Sequence, residues 1–149
     1  MSRQRRDLEA LTAVARVRDV QRRAAEIGLA RATVEVRQVE ARKAEQLKGV
    51  DRDQQAWSQA LQRGANPQML MAWSAEVDTG LGEVRRLDLD LAAAELARAE
   101  RVDAFRSAQA NCDVAETLRD EARRGVARTA DEARLNDLAD RSARERKRR

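Results

Sequence analysis

Few residues in this chain are of a type that does covalent chemistry, and their pattern points to recognition instead. Histidine is absent, so imidazole acid–base catalysis and histidine metal ligation have no residue to use. The single cysteine, Cys112, can build neither a zinc site nor an internal disulfide. The pattern predicts it as a small residue of a helix seam. The glycines are scattered and none precedes Lys-Ser or Lys-Thr, so no phosphate-cradling loop is present. Carboxylates are abundant but interleaved with arginines, the pattern of solvated helical faces with i,i+4 pairs. The expectation is a protein that is not an enzyme and takes no cofactor or metal.

What remains is chemistry of contact. Leu135 and Leu138, with Ala139, place apolar side chains at i and i+3 in a strongly charged stretch. They are followed by Arg141, Arg144, Arg146, Lys147, Arg148 and Arg149 against one acid, so residues 141–149 carry +5 and the rest of the chain −1. An apolar stripe followed by a dense cationic run suits an acidic partner surface with an apolar sleeve. A frayed, solvated end is the alternative. Trp57 and Trp73 are the largest apolar side chains available to a second contact region. A sequence pI near 10.1 raises nucleic acid as a partner. However, the basic residues away from the ends alternate with acids, and aromatics make up only 2%, leaving little to stack on bases.

The elements that position these residues are legible from one proline. Pro67 is alone of its kind and lies in Gly64-Ala65-Asn66-Pro67. Gly64 can adopt the left-handed conformation that ends a helix. Asn66 can cap the next helix, with Pro67 at its first position. The chain is 38% charged and rich in alanine, arginine and leucine, a composition of long helices. The expected architecture is all-α: one domain, a long antiparallel two-helix coiled-coil hairpin. Helix 1 is predicted over about 7–63, a turn at 64–67, helix 2 over about 67–140, and a basic tail at 141–149.

In helix 1, Val20, Ile27, Val34 and Ala41 repeat every seven residues, and Val36, Val50 and Trp57 continue on a shifted phase. In helix 2, Val77, Val84, Leu91, Phe105, Cys112 and Val126 share one seven-residue frame, with Leu87, Ala94, Ala108, Ala115 and Ala122 as companions. Sustained heptads imply a left-handed coiled coil. Centring the turn on residue 65 predicts that facing residues sum to about 130. Trp57 then faces Trp73, Val36 faces Ala94, Val39 faces Leu91, and Val17 falls beside Cys112. The same register leaves residues 130–149 without a partner arm, roughly 30 Å of single helix if helical throughout. No apolar run approaches the length of a membrane span and no signal-peptide core follows the basic start, so the expected location is the cytoplasm.

The length, the two-helix hairpin and the basic helical end resemble those of the flagellar export protein FliJ and the SctO/YscO stalk proteins of virulence type III secretion. The stretches that carry the resemblance are Trp57-Ser58-Gln59-Ala60-Leu61, Asn66-Pro67-Gln68-Met69-Leu70-Met71-Ala72-Trp73, and Leu135-Asn136-Asp137-Leu138-Ala139-Asp140-Arg141. Tryptophans stand here where tyrosines are common in that family, and no phenylalanine follows Trp73 in the first turns of helix 2. The resemblance implies a stalk peripheral to an inner-membrane export apparatus, flagellar or virulence. Its terminal end would enter the export ATPase hexamer through Leu135, Leu138 and the basic residues 141–149. Its closed half, with Gln46, Val50, Trp57, Trp73 and Val77, would engage an export gate protein. Some family members also bind export chaperones. Another coiled-coil scaffold, such as a peripheral-stalk subunit, or a basic nucleic-acid-associated helical protein are the competing expectations.

Overall fold

A computed structural model describes residues 3–148. It contains two helices, α1 (Arg3–Gln62) and α2 (Pro67–Arg148), packed against each other as an all-α helical hairpin. α1 begins four residues before the expected Asp7, and α2 continues without a break through the basic stretch to Arg148. Arg146, Lys147 and Arg148 lie in the last turn of α2, where cations favour the exposed carbonyl end of a helix.

The turn is built by its own residues. Gly64 takes φ of +73°, a conformation that costs little only without a Cβ. Ala65 N–H donates to Ala60 O at 3.0 Å and Gly64 N–H to Leu61 O at 3.2 Å. These two bonds close α1 with a Schellman motif. Asn66 Oδ1 accepts from Met69 N–H at 2.9 Å, and Asn66 O receives the first helical bond of α2, from Leu70 N–H at 3.2 Å. Pro67, at the first helical position, lacks only a donor that would have been unsatisfied there.

Contacts divide the paired helices into two compact units, one of residues 26–104 and one combining residues up to Ala25 with those from Phe105 onward. In the 26–104 unit the core is Val36, Val39, Val50, Val77, Val84 and Leu87. Lys43 pairs with Asp88 at its edge. Gly80 is also buried, and a Cβ built on it would lie 2.7 Å from Val50 Cγ2. Glycine is therefore what lets the two backbones approach at this level. In the other unit the buried side chains are Ala15, Cys112 and Ala115, with Leu8, Leu11, Arg22 and Phe105 half-buried around them. The facing pairs Val50–Gly80, Gly28–Arg101 and Lys43–Asp88 keep residue sums near 130, in line with the expected register.

The frame expected for α2 lies in the seam, as do Val36, Val39 and Val50 of α1, but the α1 repeat through Val20, Ile27, Val34 and Ala41 does not. Val20, Ile27 and Val34 stand 65%, 54% and 49% exposed, and Ala41 is exposed too. Val17 is likewise on the surface, so it does not cover Cys112. The buried or half-buried positions of α1 follow Leu8, Ala15, Arg22, Leu29, Val36, Lys43 and Val50, with Leu11, Ala25, Ala32, Val39 and Gln46 as companions. Arg22 and Lys43 sit in this frame because long cationic side chains can lay their stems along a seam and keep the charge at its rim. The β-branched repeat of α1 instead forms an outer face.

Candidate partner-binding surfaces

Among the described residues, the open end is built by α2. Every described residue from Ala127 to Arg148 is exposed. The first described residue of α1, Arg3, is level with residue 127 in this register. Leu135 and Leu138 are 66% and 61% exposed, large values for leucines inside a regular helix. At 100° per residue, both lie on the side of α2 opposite the line of Ala122 and Val126 that meets α1. A wall covering these leucines must therefore approach from the back of α2. A helix continuing the line of α1 would miss them.

The cations around this stripe are largely uncommitted. Arg134 Nη1 lies 3.7 Å from Asp131 Oδ1, at the loose end of ion-pair geometry. Ser142 Oγ donates to Ala139 O at 2.8 Å. Arg141, Arg144, Arg146, Lys147 and Arg148 are exposed on the continuing helix, which makes the basic stretch an ordered cationic element. Arg149, assigned to the same contact by sequence, lies outside the described residues.

The closed end is less uniform than expected. Val50 and Val77 are buried and hold the seam, and Gln46 and Trp73 are half-buried. Of the five residues assigned there, Trp57 is the one that presents a substantial surface, at 37% exposure. Leu61, Met69 and Met71, near the turn, are exposed as well. Sequence reasoning did not single these out for contact. The available signal was Met69-Leu70-Met71 in the first turn of α2, where a helix end has few neighbours to bury long apolar side chains. Methionine adapts readily to different partners.

The described residues hold no group of three or more histidine, cysteine, aspartate or glutamate residues able to hold a metal ion. No helix among them is long and apolar enough to cross a membrane. The Cys112 thiol titrates away from the ordinary thiol range. Burial pushes its thiol pKa up, with the nearby Glu116 and Asp19 carboxylates adding to this and Arg22 opposing it. Cys112 Sγ lies 3.8 Å from Glu116 Oε1. A buried thiol held protonated in this way is inert packing. Compared with protein-family models, curated proteins and solved structures, the chain matches none.

Proposed function

We propose that this chain is a non-enzymatic coupling stalk that docks its unpaired α2 end into a ring-shaped export ATPase of a type III secretion or flagellar apparatus. The observation that carries the reading is the continuous, wholly exposed helix from Ala127 to Arg148, displaying Leu135 and Leu138 ahead of a cationic end. An isolated single helix of this kind is marginal in water. Its apolar stripe gains most from a partner that encloses the helix and therefore reaches its back face. Burying two leucines contributes about 3–6 kcal/mol before the costs of association. Arg141, Arg144, Arg146, Lys147 and Arg148 would steer the encounter with acidic groups at the mouth of the ring, a salt-sensitive contribution to on-rate.

The resemblance to the export stalk family supports the choice of partner. The closed end, with Trp57, Leu61, Met69 and Met71, suits an apolar contact with an export gate protein, and export chaperones are a further class of partner. The protein would then work in the cytoplasm beside the inner membrane.

The test is stimulation of the purified export ATPase hexamer. Truncation after Asp131 should abolish stimulation while helicity per residue and hairpin melting persist. Leu135→Asp with Leu138→Asp should do the same with the basic end intact. Neutralising the basic end alone should slow association chiefly at low salt. Full stimulation by the truncated chain would overturn the reading. Stable binding without any stimulation would instead point to a passive scaffold subunit.

A further inference from the structure

We propose that the pairing of residues 26–35 with 95–104, inside the 26–104 unit, is a built-in point of opening. There the two helices part while the core through Val36, Val39 and Leu87 stays closed. The observation is a gap in burial. All of residues 95–101 in α2 are exposed. Seven residues make about two turns of helix, and in a paired helix they include two seam positions. Between Pro67 and Val126 no other stretch of α2 runs more than three residues without a covered one. The gap shows on both helices. No residue of α1 between Ala15 and Val36 is buried, and none of α2 between Leu87 and Cys112.

The residues at the seam positions explain the gap. Arg98 stands seven residues after Leu91, and Arg101 seven after Ala94. Residue sums of 130 set them against Ala32 and Leu29. A guanidinium keeps its water unless a partner replaces it. Neither Arg98 nor Arg101 has a hydrogen bond or ion pair among the described residues. Lys43, a cation in the same seam, differs in pairing with Asp88. Cover for α1 comes from an arginine stem: Arg101 Cδ lies 3.6 Å from the place a Cβ would take on Gly28. Gly28, Leu29, Ala32 and Thr33 are accordingly only half-buried. A segment with so few buried apolar contacts opens at lower free energy than the core beside it. The two parted segments then behave differently. Residues 95–101 are Glu, Leu, Ala and Arg alone, all strong helix formers, so α2 holds its helix. The α1 segment carries Gly28 and the β-branched Ile27, Thr33 and Val34, which are weaker formers. It is therefore α1 that loses backbone hydrogen bonds when the pair opens.

Amide hydrogen exchange of the full chain, resolved by residue and corrected for intrinsic rates, tests this. Amides 27–34 should exchange about tenfold faster than amides 37–50. Arg98→Leu with Arg101→Leu gives Ala32 and Leu29 apolar partners, and should bring the protection of 27–34 up to that of 37–50. Arg106→Leu is the control, because Arg106 is exposed and stands off the seam frame. It should leave the fast exchange of 27–34 unchanged. Equal protection of 27–34 and 37–50 in the parent chain would overturn the proposal. Fast exchange that persists in the double-leucine chain would overturn it as well, since the weakness would then lie in α1 itself and not in the two seam arginines. Slowing by Arg106→Leu as great as that by the double substitution would do the same, because any lost arginine would then suffice.

Discussion

Adding one methyl group at Gly80 tests the seam most sharply. In an open helix, replacing glycine by alanine stabilises by about 1 kcal/mol, because the unfolded chain loses freedom and the helix gains propensity. At Gly80 the new Cβ would lie 2.7 Å from Val50 Cγ2, about 1 Å inside the optimal carbon–carbon separation. Val50 is a buried, β-branched side chain with one strongly preferred rotamer in a helix, so it cannot swing aside cheaply. Overpacking of this kind costs about 1–3 kcal/mol. The propensity gain offsets part of that, and the net expectation is destabilisation of up to about 2 kcal/mol. Gly82 is the control, two residues on in the same helix, with nothing within 4 Å of its added Cβ. Gly82→Ala should stabilise by about 0.5–1 kcal/mol. Urea denaturation followed by far-UV circular dichroism measures both against the parent chain. The cycle closes with Val50→Ala, which removes the clashing methyl and should make Gly80→Ala stabilising in that background. If Gly80→Ala alone stabilises as much as Gly82→Ala, the close approach of the helices at this level does not exist in solution.

Further outcomes follow from the turn and from the buried thiol. Asn66→Ala should lose about 1 kcal/mol by removing the acceptor of Met69 N–H, and Gly64→Ala should lose about 1–2 kcal/mol by forcing a Cβ into φ +73°; thermal melts of the two variants check both. Cys112 should react with iodoacetamide far more slowly in the native chain than in urea. Because folding raises its pKa, the unfolded thiol ionises first as pH climbs. The contribution of the neutral thiol is therefore full below the ordinary thiol pKa of about 9.0 and declines as pH rises toward the folded value. A Cys112→Ala chain should lose less stability than the parent over that alkaline window.

Much of this architecture follows from local chemistry. Gly64, Asn66 and Pro67 fix where the chain reverses, because each satisfies a backbone requirement within a few residues of itself. The α2 seam was equally legible, since Val77, Val84 and Cys112 recur on one seven-residue frame with Leu87 and Ala115 on its companion, and no rival repeat has comparable strength. The exposure of Leu135 and Leu138 follows from simple arithmetic: once the turn is placed, the register pairs Arg3 with residue 127, and both leucines lie beyond it.

The expected register already put Val36 and Val39 in the α1 seam, but which full heptad of α1 faces α2 was decided by tertiary structure. That helix carries two competing heptads, and the cleaner one, through Val20, Ile27 and Val34, faces outward. Apolar periodicity along one helix identifies a stripe but not the stripe's partner. The turn and the α2 frame together set the rotation of α1, bringing Val36, Val39 and Val50 inward along with Arg22 and Lys43. Cationic side chains in a seam score poorly by hydropathy, yet they are tolerated because their stems pack and their charges reach the rim. The close approach at Gly80 was hidden for a related reason. A glycine read along one helix marks a weak point, and only the side chain from the other helix shows that the missing Cβ makes room for Val50.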